Sequence, residues 1–148
     1  MFLRVDLSKE PFQLLYRQIY QRISSFIYQF NDPPENINAA LSLLVAGDKN
    51  IYLLINVNDQ GLIDAHCFCT LQPVGPNATV IFVDQMQIDD AKDSSKFMEQ
   101  ATFYMESLPN VVRIVMVTTE TRFKAFQKKY GFNIHKVIMH RDIKKELP

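Results

Sequence analysis

The chain has 148 residues, of which 47% are hydrophobic and 22% charged. That is enough apolar material for one well-buried core and too little length for two comfortable domains, so a single domain over residues 1–148 is expected and disorder is excluded. Sixteen basic residues balance sixteen acidic ones, which leaves no net field to draw nucleic acid or a membrane surface.

Taken in chain order, Phe2 to Asp6 alternates as a short edge strand. Glu10-Pro11 opens a helix, since proline is tolerated in a first turn. Its apolar stripe is Leu15, Ile19, Ile23, Phe26 and Phe30, and Asn31-Asp32-Pro33-Pro34 ends it. A second helix, Glu35 to Ala46, carries Ile37, Leu41, Leu44 and Val45 on one side and closes at Gly47-Asp48. Ile51 to Val57 and Leu62 to Gln72 read as a hairpin around Asn58-Asp59-Gln60-Gly61. In its second arm Ile63, Ala65, Cys67, Cys69 and Leu71 are expected on one face. A turn at residues 73–77 leads to a third antiparallel strand, Ala78 to Ile88.

Asp93-Ser94-Ser95 offers N-cap oxygens to a helix from Lys96 to Leu108, with Phe97, Ala101, Tyr104, Met105 and Leu108 inward. Val111 to Thr118 is apolar and β-branched, the pattern of a strand buried on both faces. A helix from Glu120 to Tyr130 stops at Gly131, and Phe132 to His140 is the last strand. A strand–helix–strand unit this short pairs its strands in parallel. The expected fold is α/β: a mixed central sheet of about six strands flanked by four helices.

No apolar run approaches membrane-spanning length and the N-terminus has no signal-peptide core, so a cytoplasmic location is expected. Cys67 and Cys69 point the same way from one strand, too close in sequence for an easy bridge, and two buried thiols suit a reducing compartment. They read as small core residues, with no basic neighbour to activate them. Asp64 and His66 share a face and would need a third ligand to hold a metal; a hydrogen-bonded surface pair is the expected role, and no metal site is assigned. Tyr16, Tyr20 and Tyr28 fall off the first helix's stripe, as a protein contact surface or as cover for the sheet edge. From Arg122 to Lys145 the chain is strongly basic, either a solvated face or a place to meet phosphates.

This element order resembles the GNAT superfamily, the acyl-CoA N-acyltransferases, across nearly the whole chain. The most specific stretch is Thr119 to Met139, TETRFKAFQKKYGFNIHKVIM, with Phe126, Gly131 and Phe132 matching the superfamily's closing pattern. The resemblance implies acetyl-CoA or CoA as cofactor. Backbone around Gln87 and Ile88 would hold pantetheine, where the third and fourth strands of the meander and its crossover splay apart. The stretch Lys92-Asp93-Ser94-Ser95-Lys96 would hold the pyrophosphate on a helix N-terminus, with Phe126 as a cofactor wall. Asp84 is the leading base; it shares strand parity with Val80, Phe82, Met86 and Ile88, so a largely apolar face is expected around it. The match departs from the family's pattern where Ser95 and Phe97 replace small residues of the phosphate motif. It departs again at Gln127, where many members carry an acidic tyrosine. Asp89, Asp90 and Asp93 also set negative charge beside a dianion site.

Two functions follow from the resemblance. One is an acetyl-CoA-dependent N-acetyltransferase for a small amine or a protein amine. The other, favoured by the changed motifs, is a descendant without that activity. It would serve as an interaction or assembly module, in a virus or a larger complex, with protein partners at the tyrosine-rich first helix and oligomerisation open.

Overall fold

The computed structural model describes residues 1–30, 34–90, 94–116, 124 and 127–133, with the side chains of 26–30, 34–37, 40 and 94 left aside. The chain forms two compact units, Met1–Met116 and Val117–Pro148.

In the first unit five strands make one sheet in the order β1-β2-β3-β4-β5. These are β1 (Phe2–Arg4), β2 (Ile51–Val57), β3 (Ile63–Gly75), β4 (Ala78–Ile88) and β5 (Val111–Met116). The first four pair antiparallel, and β5 joins β4 in parallel, as the short crossover requires. Only the start of the expected last strand falls among the described residues. Phe132 and Asn133 have no regular structure, and the rest of that stretch lies outside them.

The helices are α1 (Glu10–Gln13), α2 (Tyr16–Phe30), α3 (Pro34–Val45) and α4 (Ser94–Glu106). The sequence reads α1 and α2 as one helix. They separate because Leu15 N–H bonds back to Phe12 O at 3.0 Å, a tight turn that throws Leu14 into solvent while Phe12 and Leu15 both pack inward. At the end of α3, Gly47 adopts φ 72° and its N–H and that of Asp48 return to Leu44 and Leu43, a left-handed cap that favours glycine. Val45, expected inward, is exposed at the end of α3.

Two cores form, one on each face of the sheet. Against α2 and α3 lie Leu53, Ile55, Ile63 and Phe68 with Ile19, Ile23, Leu41 and Leu44. Against α4 lie Leu54, Ala65, Cys67, Cys69, Ile81 and Val83 with Phe97, Ala101 and Met105. Ile63 therefore leaves the face predicted for it. The register steps from Asn56↔Ala65 to Val57↔Ile63, which leaves Asp64 as an extra residue, and one extra residue reverses every side chain beyond it. Strand β5 is not buried on both faces as expected: Val112 and Arg113 are exposed and its other residues half-buried, because a charged side chain interrupts its apolar run.

In the second unit Lys124 and 127–130 are helical, within the expected helix, and Gly131 follows with φ 70°.

Candidate functional site

The candidate site lies on β4 at its break in register. On its β3 side the register jumps from Phe68↔Gln85 to Cys69↔Val83, so Asp84 is the extra residue of a bulge. On its β5 side the last recorded pair among the described residues is Val83↔Met116.

The bulge corrects the reading of Asp84's surroundings. Ile81 and Val83 precede it on the α4 face, and Met86 and Ile88 follow it on that same face. Met86 and Ile88 thus do not share the Asp84 side. Asp84 is exposed and takes a 2.5 Å hydrogen bond from Thr70 Oγ1. Desolvation by the protein around it raises its carboxyl above the ordinary range, against the lowering effect of the Thr70 hydroxyl. A carboxylate so placed is a stronger base than one in water.

Past the bulge the ladder fixes which peptide groups face which way. Asp89 N–H donates to Asp64 O at 2.9 Å, and antiparallel pairs alternate between bonded and unbonded. In the register that pairs His66 with Gln87 and Ala65 with Ile88, the peptide groups of Gln87 turn to β3. Those of Met86 and Ile88 turn to the β5 side. Of the two residues the resemblance nominates for a pantetheine arm, Ile88 presents its backbone there and Gln87 does not; Met86 is its companion.

Beyond β4, Ser94 opens α4, and Ser95 and Lys96 sit exposed in its first turn. Phe97 does not crowd the start of this helix. Its ring is 3% exposed and packs on Phe2, with centroids 5.7 Å apart. The bulk that replaces a small residue is absorbed by the core. Lys92, Asp93 and Phe126 lie outside the described residues, as do His135, His140 and most of the basic stretch Arg122 to Lys145. Gln127 is helical and exposed.

Sequence reasoning missed the group that anchors this end of β4. Arg22 on α2 donates from Nε to His66 Nδ1 at 3.1 Å, from Nη1 to Ile63 O at 3.0 Å, and from Nη2 to Gln87 O at 3.5 Å. It also grips both carboxylate oxygens of Asp89 at 2.7 and 3.0 Å. One turn earlier, Gln18 spans the hairpin, donating to Gly61 O and accepting from Ile63 N–H. Two polar residues four apart, flanking the Ile19–Ile23 stripe, were the available signal.

His66 is correspondingly not a surface residue. It is 1% exposed, with Nε2 3.3 Å from Gln85 Oε1. Burial, and then the Arg22 charge, lower its pKa to about 4, so it stays neutral and accepts from Arg22. Asp64 instead takes a hydrogen bond from Asn56 at 2.8 Å, on the opposite face. Among the described residues no three His, Cys, Asp or Glu groups converge as metal ligands. Cys67 and Cys69 are buried free thiols 3.4 Å apart. The hydrogen bond between them and their burial hold Cys69 well above its ordinary pKa, which keeps it a thiol.

No family model and no curated protein matches the sequence. Solved structures do. An acetyltransferase of Trypanosoma brucei superposes with a TM-score of 0.66 at 12% identity, covering 97% of this chain and 99% of that one. A predicted acetyltransferase of Clostridium acetobutylicum, solved with acetyl-CoA, gives 0.65 at 13% identity over 96% and 95%. The glucosamine-6-phosphate N-acetyltransferase of Arabidopsis thaliana gives 0.63 at 11% identity over 97% and 99%. The fold is GNAT-like. In this GNAT-like fold the mixed sheet has five strands among the described residues rather than about six. No described helix is long and apolar enough to cross a membrane.

Proposed function

We propose that the chain, taken as one domain over residues 1–148, binds an acyl-CoA and transfers its acyl group to an amine. The observation that carries this reading is the bulge in β4 that sets Asp84 against Thr70 within a GNAT-like fold. The groups present fit the cofactor. Met86 and Ile88 offer peptide donors and acceptors to the amides of a pantetheine arm. The first N–H groups of α4, with Lys92 and Lys96 close in sequence, suit a pyrophosphate. Bound acyl-CoA supplies a thioester, a carbonyl already activated toward nitrogen. Asp84 takes a proton from the incoming ammonium, which frees the nitrogen lone pair, and its raised pKa suits it to the task. The thiolate leaves as the new carbon–nitrogen bond forms and takes its proton from solvent.

Titration calorimetry with CoA and acetyl-CoA tests the reading, together with a thermal melt, because a ligand stabilises the state it binds. A rise in melting temperature and a saturable heat are expected. No shift at millimolar CoA overturns it.

A second reading is supported by a separate observation: Leu14, Tyr16 and Tyr20 stand 82%, 40% and 43% exposed along α1 and α2. Such a surface suits a non-catalytic assembly module docking a protein partner. Its test is the state of association in solution. A concentration-independent monomer that also binds CoA removes it. The two buried free thiols support a reducing compartment such as the cytoplasm.

A further inference from the structure

We propose that Arg22 is a positioning residue for the phosphate end of the acyl-CoA, acting by neutralising Asp89; this rests on the acyl-CoA reading above. A guanidinium has five N–H groups in a fixed fork. Here His66, Ile63 O, Gln87 O and the two oxygens of Asp89 supply five acceptors for them. The Arg22 side chain is 15% exposed while that of Asp89 is 46% exposed, so the arginine reaches from α2 to hold a carboxylate at the rim of the sheet.

The position of that carboxylate gives the pair its meaning. Asp89 directly follows β4, and only residues 90–93 separate it from Ser94 at the start of α4. A free negative charge there would oppose a pyrophosphate on the helix N-terminus. The bidentate pair cancels it, and the same guanidinium fixes the Gln87 carbonyl, one residue before Ile88. Neutral His66 completes the arrangement, because an imidazolium could not accept from Arg22 Nε. Asp89, one of the three acids of this stretch, is thereby compatible with an anionic ligand.

The experiment is titration calorimetry of four proteins with CoA and with pantetheine, which lacks the phosphates: the parent, Arg22→Met, Asp89→Asn and the double variant. Arg22→Met is expected to weaken CoA about fivefold at low ionic strength, with the loss shrinking in 0.5 M salt as screening tightens. Pantetheine affinity stays within about twofold, and the double variant recovers CoA to within about twofold of the parent, since it removes both charges. A double variant as weak as Arg22→Met overturns the proposal, as does an equal loss for pantetheine. Should Arg22→Met fail to fold, Arg22→Lys keeps the charge without the fork. CoA affinity near the parent's then supports charge compensation, and an equal loss for both ligands overturns it. A parent protein that binds neither ligand overturns the acyl-CoA reading itself, a result visible before any variant is made.

Discussion

The two faces of the sheet are built from different chemistry. The face under α2 and α3 is filled by branched aliphatic side chains and ends in a polar knot of Arg22, His66, Gln85 and Asp89. The face under α4 carries alanines, two thiols and Met105, with Cys69 Sγ 3.8 Å from Met105 Sδ. Neighbours in sequence can belong to either: Leu54 and Ile55 are both fully buried and point opposite ways. The contrast teaches that one face is specified by shape and hydrogen bonds while the other is specified by volume. It divides the work too. The rigid, polar face aims the end of β4, and the apolar face absorbs what the sequence changes, as it does with Phe97.

The largest expected effects test that contrast directly. Ile55→Ala should cost about 4 kcal/mol, because β-branched neighbours do not relax into the cavity. Leu54→Ala should cost less, about 3 kcal/mol, because Met105 can re-pack. Urea unfolding of both variants measures the pair. Equal losses would show that the two cores are alike in rigidity.

Acid distinguishes the faces next. His66 is held at about 4, below the ordinary 6.5, so the fold favours the neutral ring. Its contribution is fully present above pH 6.5 and is lost as pH falls toward 4, where the unfolded chain binds a proton the native state refuses. The full loss is on the order of 3 kcal/mol. His66→Gln keeps hydrogen-bonding groups and removes the titration, so its stability should be flatter between pH 6.5 and 4 in urea melts. A parent-like slope in the variant would move the acid sensitivity elsewhere.

A smaller effect belongs to the thiols. Cys67→Ala should cost about 1 kcal/mol, as a small apolar truncation does. Both thiols should resist an aromatic disulfide reagent until the protein unfolds, since Cys69 is held protonated and both are buried. Rapid native-state labelling would contradict a closed α4 face.

Much of this fold was legible in the sequence because its signals are local. Alternation and turn residues gave β2 and β4 their observed bounds, and Gly47 marked the end of α3. The bulges at Asp64 and Asp84 were not legible. A bulge is a mismatch in count between two strands, and neither strand alone contains it. Each therefore sent residues to the wrong face: Ile63 in one case, Met86 and Ile88 in the other. The Arg22 anchor was hidden for a similar reason, since its partners lie 41 to 67 residues away. Asp84 was singled out from its chemistry, as an acid on a strand face expected to be largely apolar.

The smallest stability change carries the most functional information. Asp84 is destabilised in its charged form by desolvation. Its contribution is present below the ordinary carboxylate value of 3.8 and is lost as pH rises through the higher folded value. Asp84→Asn removes that cost and keeps an acceptor for Thr70. It should therefore leave stability at pH 7 unchanged or raise it by less than about 1 kcal/mol, because solvent reaches the side chain. Acyl transfer, followed as thiol release from acetyl-CoA in the presence of amines, should fall by about 100-fold or more if the carboxylate takes the ammonium proton. CoA affinity should not change. Undiminished turnover in a variant that still binds CoA would remove Asp84 as the base and leave the bulge as a purely geometric feature of β4.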